Sequence, residues 1–333
     1  MNRFDYISHS DALLKVERYT LSEGKAAGVQ MIRAANARGL EFHVAADRCM
    51  DITELRCGGK PIHYSSGTGI THPAYYEPEG YEWLRSFHAG FLTTCGLNQV
   101  GEPCEYKGVR HGIHGRISNC PAEHVSTDVQ RDGERLKGHI GGIVRQARQQ
   151  GENIELRRSF EFDSESMLFK MADEISNRSS MPEPFMVLYH FNFGYPFLTE
   201  NTKVSIPIES TKGWNPRSEE QKMNFNRFYA PGTNNGELTL LHRLNADENG
   251  MTYFEIESEE TRLRVSYLSA ELPYLGQWTH LQANDYVLGI EPCNNNIRGA
   301  AWEAENNTLC YLEPGESRRI QFTFELCNKG DKK

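Results

Sequence analysis

The sequence predicts an all-β protein built of stacked sheets or a wide, twisted β-sandwich with few short helices. Three observations predict it. Apolar residues recur with period two in segment after segment, helical signals are sparse and short, and neither a repeat of roughly 20–50 residues nor a low-complexity linker divides the chain. The 333 residues are therefore read as a single domain spanning 1–333, with its motif-bearing core over about 40–327, because β sandwiches can exceed the usual domain size.

Taken in order, SDALLKVERY (Ser10–Tyr19) and the segment Tyr81–Phe87 carry the best helical signals. VAADRCMDITEL (Val44–Leu55) is strand-like but interrupted by charge. NIELRRSFEF, MLFKMADEIS, FMVLYHFNFGYP, RLRVSYLSA and DYVLGIEP read as strands separated by Gly, Asn, Pro or Asp clusters. In RRIQFTFEL, Ile320, Phe322, Phe324 and Leu326 alternate with Gln321, Thr323 and Glu325, the pattern of a half-buried strand. The polar stretch from Gly213 to Gly236 reads as a long surface excursion.

The formal net charge is −9 and the basic residues are dispersed, which argues against nucleic acid and anionic membrane surfaces as partners. No segment approaches the apolar run of about 18 residues needed to span a membrane, and the N-terminus lacks a signal-peptide core, so a soluble, cytoplasmic protein is expected. Eight cysteines form no CxxC pair and are read as free thiols, many of them small buried apolar residues.

Chemistry concentrates in four segments. In FMVLYHFNFGYP, Val187, Tyr189, Phe191 and Phe193 share one strand face, which is core. The opposite face presents His190 beside Asn192, where an ordinary core would be apolar. In DYVLGIEPCNNN, Glu291 ends an apolar strand on the same face as Gly289, which leaves room for a close approach. A partly buried glutamate there suits a general base, although a salt bridge or an exposed strand end would explain it too. The Asn294–Asn296 run supplies amides near it, or simply a turn. HGIHGRISN (His111–Asn119) pairs each histidine with a glycine, which favours a loop over a helical metal motif. A site made of His111, His114 and Glu291 or His190 would suit a catalytic zinc, yet the spacing matches no specific metal motif. DRCMDI adds Arg48 and Asp51, which face opposite ways on a regular strand and act together only at a bulge or strand end; an internal ion pair is the competing reading. Trp83, Trp278 and Gln277 could form an aromatic floor with a flanking amide, as sugar pockets do, or be ordinary core.

The ordered set DRCMDI, GLNQVG, HGIHGRISNCPA, VLYHFNFGYP and LGIEPCNNN, over roughly residues 40 to 300, resembles the galactose mutarotase-like (aldose 1-epimerase) family and, more narrowly, its aldose 1-epimerase-like branch. That resemblance implies the family's large β-supersandwich, with the site on the concave face of one sheet. It implies a sugar-binding histidine at His114, a general acid at His190 and a general base at Glu291, with no metal or other cofactor. The family's HGG loop reads HGR here, its sugar-binding aspartate has no counterpart in these motifs, and DRCMDI is not shared with the galactose enzymes.

The implied reaction is anomer interconversion of a free sugar, a small-molecule substrate. Glu291 takes the anomeric proton and His190, protonated in the resting state, protonates the ring oxygen. His114, His111 and Arg116 would bind ring hydroxyls, with Arg48 and Asp51 at the far end of the substrate and Asn192, Gln277 and Trp278 completing the walls. Two alternatives are a non-catalytic carbohydrate-binding or sensing protein on the same fold and a metal-dependent isomerase or lyase acting on a sugar acid. A glycosidase would need a second carboxyl group flanking the bond.

Overall fold

The computed structural model describes residues 3–233 and 236–330, and three antiparallel sheets carry it. The first sheet has five strands in chain order: Leu14–Thr20, Gln30–Asn36, Leu40–Ala45, Asp51–Cys57 and Lys60–Pro61. The largest has eight, in the spatial order Ala122–Asp132, Arg135–Ala147, Asn153–Asp163, Leu168–Asn177, Ser317–Asn328, Thr261–Leu268, Met251–Glu257 and Lys203–Ser205. The third has six: Ile208–Gly213, Leu238–Leu244, Tyr274–Gln282, Asp285–Cys293, Met186–Gly194 and Leu92–Leu97. Every strand read from period two lies in one of these ladders.

The core lies on the inner face of the eight-stranded sheet, which both other sheets cover. Phe42 of the five-stranded sheet stacks on Phe169 at 4.9 Å, and Phe169 stacks on Phe324 at 4.3 Å. From the six-stranded sheet, Phe191 meets Phe254, Phe322 and Phe324. Alternation then fixes what the other face carries. With Val187, Tyr189, Phe191 and Phe193 in the main core, His190 must point to the far side of its strand. There a second apolar cluster, including Trp83, Phe87, Leu188, Cys293 and Ile297, supports the loops over the sheet.

At the junction of the sheets is a buried charge network. Arg158 contacts Asp51 at 2.7 Å and Asp173 at 2.7 Å, all three with fully buried side chains. Thr94 donates to Asp51 through both its backbone N–H and its hydroxyl, and Tyr189 donates to Asp173 at 2.8 Å. Asp51 belongs to the five-stranded sheet, Arg158 and Asp173 to the eight-stranded one, and Thr94 and Tyr189 to the six-stranded one. One guanidinium therefore ties all three.

The helical reading of Ser10–Tyr19 is corrected. A single 3-10 turn covers Ser10–Ala12, and Leu14–Thr20 is an edge strand paired with Gln30–Asn36. Val16, Tyr19 and Thr20 suit a pleated half-buried surface, and tertiary pairing decides the outcome. The Tyr81–Phe87 signal becomes a 3-10 helix, Glu82–Ser86. Among the described residues no helix is long and apolar enough to cross a membrane, and all eight cysteines are free.

Candidate active site

The outer face of the six-stranded sheet and the loops above it enclose a cleft of about 840 Å³. His190 and Glu291 stand on its floor because their strands, distant in sequence, are neighbours in the sheet. His190 Nε2 lies 3.2 Å from Glu291 Oε1, and both side chains are 6% exposed. His114 forms an adjoining wall, its ring 6.1 Å from that of His190 and nearly perpendicular to it. Trp278 closes another side, 5.8 Å from His190, and Phe87 packs on His190 at 5.1 Å.

The loop of His114 shows why HGIHGR needs its glycines. His114 has a left-handed backbone at φ 59°, its N–H donates to the Gly101 carbonyl, and its own carbonyl accepts from Gly96 N–H. A Cβ at Gly115 would stand 2.4 Å from the Gly96 carbonyl oxygen, and one at Gly112 2.4 Å from that of Pro78. Gly115 thus permits close packing of its loop on the Gly96 backbone. Gly101 N–H donates to His114 Nδ1 at 3.4 Å, which leaves Nε2 to carry the hydrogen of the neutral ring.

Burial sets the protonation of the pair. It pushes Glu291 up to about 8, with no neighbouring charge to offset it. Burial first, then the nearby His114 ring, drives His190 down to about 3, against a smaller opposing effect of Asn192. Burial alone takes His114 to about 4. At neutral pH the pair therefore holds one proton on the carboxyl, and the expected resting histidinium is replaced by a neutral imidazole. Burial of both groups disfavours separated charges unless something else stabilises them.

Six other sequence candidates do not line the cleft. Arg48 is buried and donates to three backbone carbonyls, those of Ser118 at 2.7 Å, Thr71 at 2.6 Å and Ser86 at 2.9 Å. Asp51 is the internal ion pair already described. The left-handed residues Cys49 and Met50 form the turn that separates them, so DRCMDI ends at a strand start. Asn192, on the His190 face of the strand, is fully buried outside the cleft lining and donates to the His190 and Ala89 carbonyls. Gln277 alternates with Trp278, so it points the other way and meets His242 and the Phe225 carbonyl. His111 sits in a short strand paired with Cys104, and Arg116 is exposed. With His111 apart, the metal alternative loses its ligand set; among the described residues no cluster of three His, Cys, Asp or Glu could hold a metal ion.

Arg48 nonetheless bears on the site. Its three acceptors belong to three segments over the cleft, and Trp83, from the segment ending at Ser86, donates to Ser118 Oγ. In Arg48→Lys one ammonium replaces a fork that spans all three acceptors, so at least one of these buried carbonyls should lose its partner, an expected loss of about 1–3 kcal/mol. Thermal unfolding of the variant beside the wild type checks it.

Period two could have revealed one further wall. His280 follows Trp278 by two residues, stacks with it at an interplanar angle of 13°, and faces Asp285 and Glu237 at 3.7 and 3.8 Å. Tyr64, from the two-residue strand Tyr64–Ser65, and Trp214 and Glu102, from loops, carry no such signal. Asn294 and Asn295 bond the Phe185 and Val187 backbone, joining the strands of His190 and Glu291.

The family described as Domain of unknown function (DUF4432) matches residues 26–326. No curated protein matches the chain in sequence. Among solved structures, a Klebsiella pneumoniae protein provisionally named an aldose 1-epimerase superposes with a TM-score of 0.90 at 23% identity, covering 96% of this chain and 86% of that one. A galactose mutarotase-like protein from Clostridium acetobutylicum gives 0.65 at 18% identity over 95% and 99% of the two chains. Galactose 1-epimerase from Lactobacillus acidophilus gives 0.61 at 14% identity over 95% and 99%. At these identities the likeness establishes the fold, a mutarotase-like β-sandwich.

Proposed function

The chain belongs to the DUF4432 family, and from that premise we propose that it is an aldose 1-epimerase, a mutarotase acting on a free sugar. The observation that carries the reading is the contact of His190 and Glu291 at 3.2 Å on the floor of a cleft of sugar-binding size. An acid opposite a base is what ring opening needs, and a protein that only bound sugar would have no use for it.

In this mechanism the sugar replaces the direct contact between the two side chains, and its hydroxyls favour transfer of the single proton from Glu291 to His190. Glu291 then takes the proton of the anomeric hydroxyl while His190 protonates the ring oxygen. The bond between C1 and the ring oxygen breaks as the C1 carbonyl forms. Rotation about C1–C2 and closure in reverse deliver the other anomer and restore the proton inventory. In this reading His114 holds a sugar hydroxyl through Nε2–H, and Trp278, also in the cleft lining, packs on the sugar ring.

The charges of the cleft narrow the substrate. Among the described residues that line it there is no lysine or arginine, whereas Glu102, Glu237 and Asp285 join Glu291. A sugar phosphate would bring its charge into a cleft lined by Glu102, Glu237 and Asp285, so kcat/KM for an aldose phosphate should fall at least about tenfold below that for the parent aldose. Exchange NMR of paired aldoses and aldose phosphates tests this, and equal acceleration of both would contradict it.

A further inference from the structure

Glu291 lies between two glycines that no backbone constraint demands. Gly289 precedes it by two residues on the same strand face, and Gly276 is its partner across the ladder. Neither has a left-handed φ, and a strand interior ordinarily favours alanine over glycine by roughly 0.5–1 kcal/mol. What a side chain would meet explains them. A Cβ at Gly289 would stand 2.8 Å from Glu291 Oε1, 3.0 Å from His190 Cε1 and 3.3 Å from Trp278 Cε3. A Cβ at Gly276 would stand 2.9 Å from Glu291 Oε2, 3.2 Å from its Cβ and 2.7 Å from Ile297 Cδ1. The carboxylate therefore lies flat across a bare patch of sheet, and each glycine faces a different one of its oxygens.

We infer that Gly276 and Gly289 are positioning residues whose missing side chains form the seat that holds the Glu291 carboxylate against His190. The consequence for turnover rests on the proposed acid–base reading; the seat itself does not. In both positions the nearest atoms include the far ends of flexible side chains, Glu291 and Ile297, which can swing aside without disturbing the sheet. Alanine should then leave the fold intact while displacing the base from its partner. Sequence alone suggests Gly289 as a place for a ligand to approach; the structure fills that space with the catalytic pair itself.

The test is Gly289→Ala and Gly276→Ala in the full chain, with three readouts. Unfolding midpoints should match or exceed the wild type. Anomer exchange should lose at least about 30-fold in kcat with KM changed by no more than about threefold. Titration of the sugar-free proteins by carboxyl-carbon and imidazole NMR should move Glu291 of Gly289→Ala back toward the ordinary carboxylate range, because the displaced carboxylate meets cleft water. A wild-type titration in both variants would overturn the seat, and so would lowered unfolding midpoints in both, which would make the glycines a requirement of strand packing. If the wild type accelerates no sugar, the proposed function fails, while the titrations still decide the seat.

Discussion

Replacing Arg158 with methionine is expected to cost about 3–5 kcal/mol of folding stability, a large fraction of what a domain typically has. The cause is not the loss of an attraction as such. Among the described residues Arg158 is the only cation in contact with Asp51 and Asp173, and all three side chains are fully buried. Removing it leaves two carboxyl groups in a low-dielectric core, which must take up protons or draw in water. Even with Arg158 present, burial holds Asp51 at about 6. Replacing Asp51, Arg158 and Asp173 together with well-packed apolar residues should restore part of the loss, because no buried charge is then left unpaired, while the Thr94 and Tyr189 donors lose their acceptors. Urea unfolding of the single and triple variants measures both effects. A single variant as stable as the wild type would show that the network does not join the sheets.

Glu291→Gln should lower anomer interconversion by about 10²–10⁴-fold, the usual contribution of one general acid or base. It should also change how stability depends on pH. The carboxyl of Glu291 titrates near 8 in the folded chain and near the ordinary value of about 4.3 when unfolded, so the folded state holds its proton more tightly. That advantage is complete below the unfolded value and is lost as pH rises toward 8. The wild type should therefore lose stability relative to Glu291→Gln between about pH 4.5 and 8, by an amount on the order of a few kcal/mol. Unfolding midpoints of the two proteins at pH 5 and pH 8 read this directly. Parallel curves would mean that Glu291 is not held neutral by burial.

Much of the fold is legible in the sequence because alternation writes burial directly into the strands. The two faces of Met186–Gly194 follow from the order of aromatic and polar residues, and the position of His190 follows with them. Glu291, His114 and Trp278 are likewise found by residue type in a strand or glycine-flanked loop. Arg48 and Asp51 are not, since a charge in an apolar run looks the same whether it meets a substrate or an internal partner. The partners that decide are Arg158, 107 residues from Asp51, and three backbone carbonyls that no sequence marks. Ser10–Tyr19 misleads for a related reason, because its strand exists through pairing with Gln30–Asn36. The protonation of the His190–Glu291 pair is a property of burial on all sides, which a strand read alone does not show.

In the proposed reaction His190 and Glu291 open and close a sugar ring. The most direct measurement is exchange NMR between the α and β anomer resonances of a panel of unphosphorylated aldoses at pH 7, with wild type and Glu291→Gln side by side. The expected result is exchange above the spontaneous rate for at least one aldose with the wild type, reduced at least about 100-fold in Glu291→Gln. Exchange as fast in the variant as in the wild type, or spontaneous rates for every aldose with the wild type, would contradict this role of the pair.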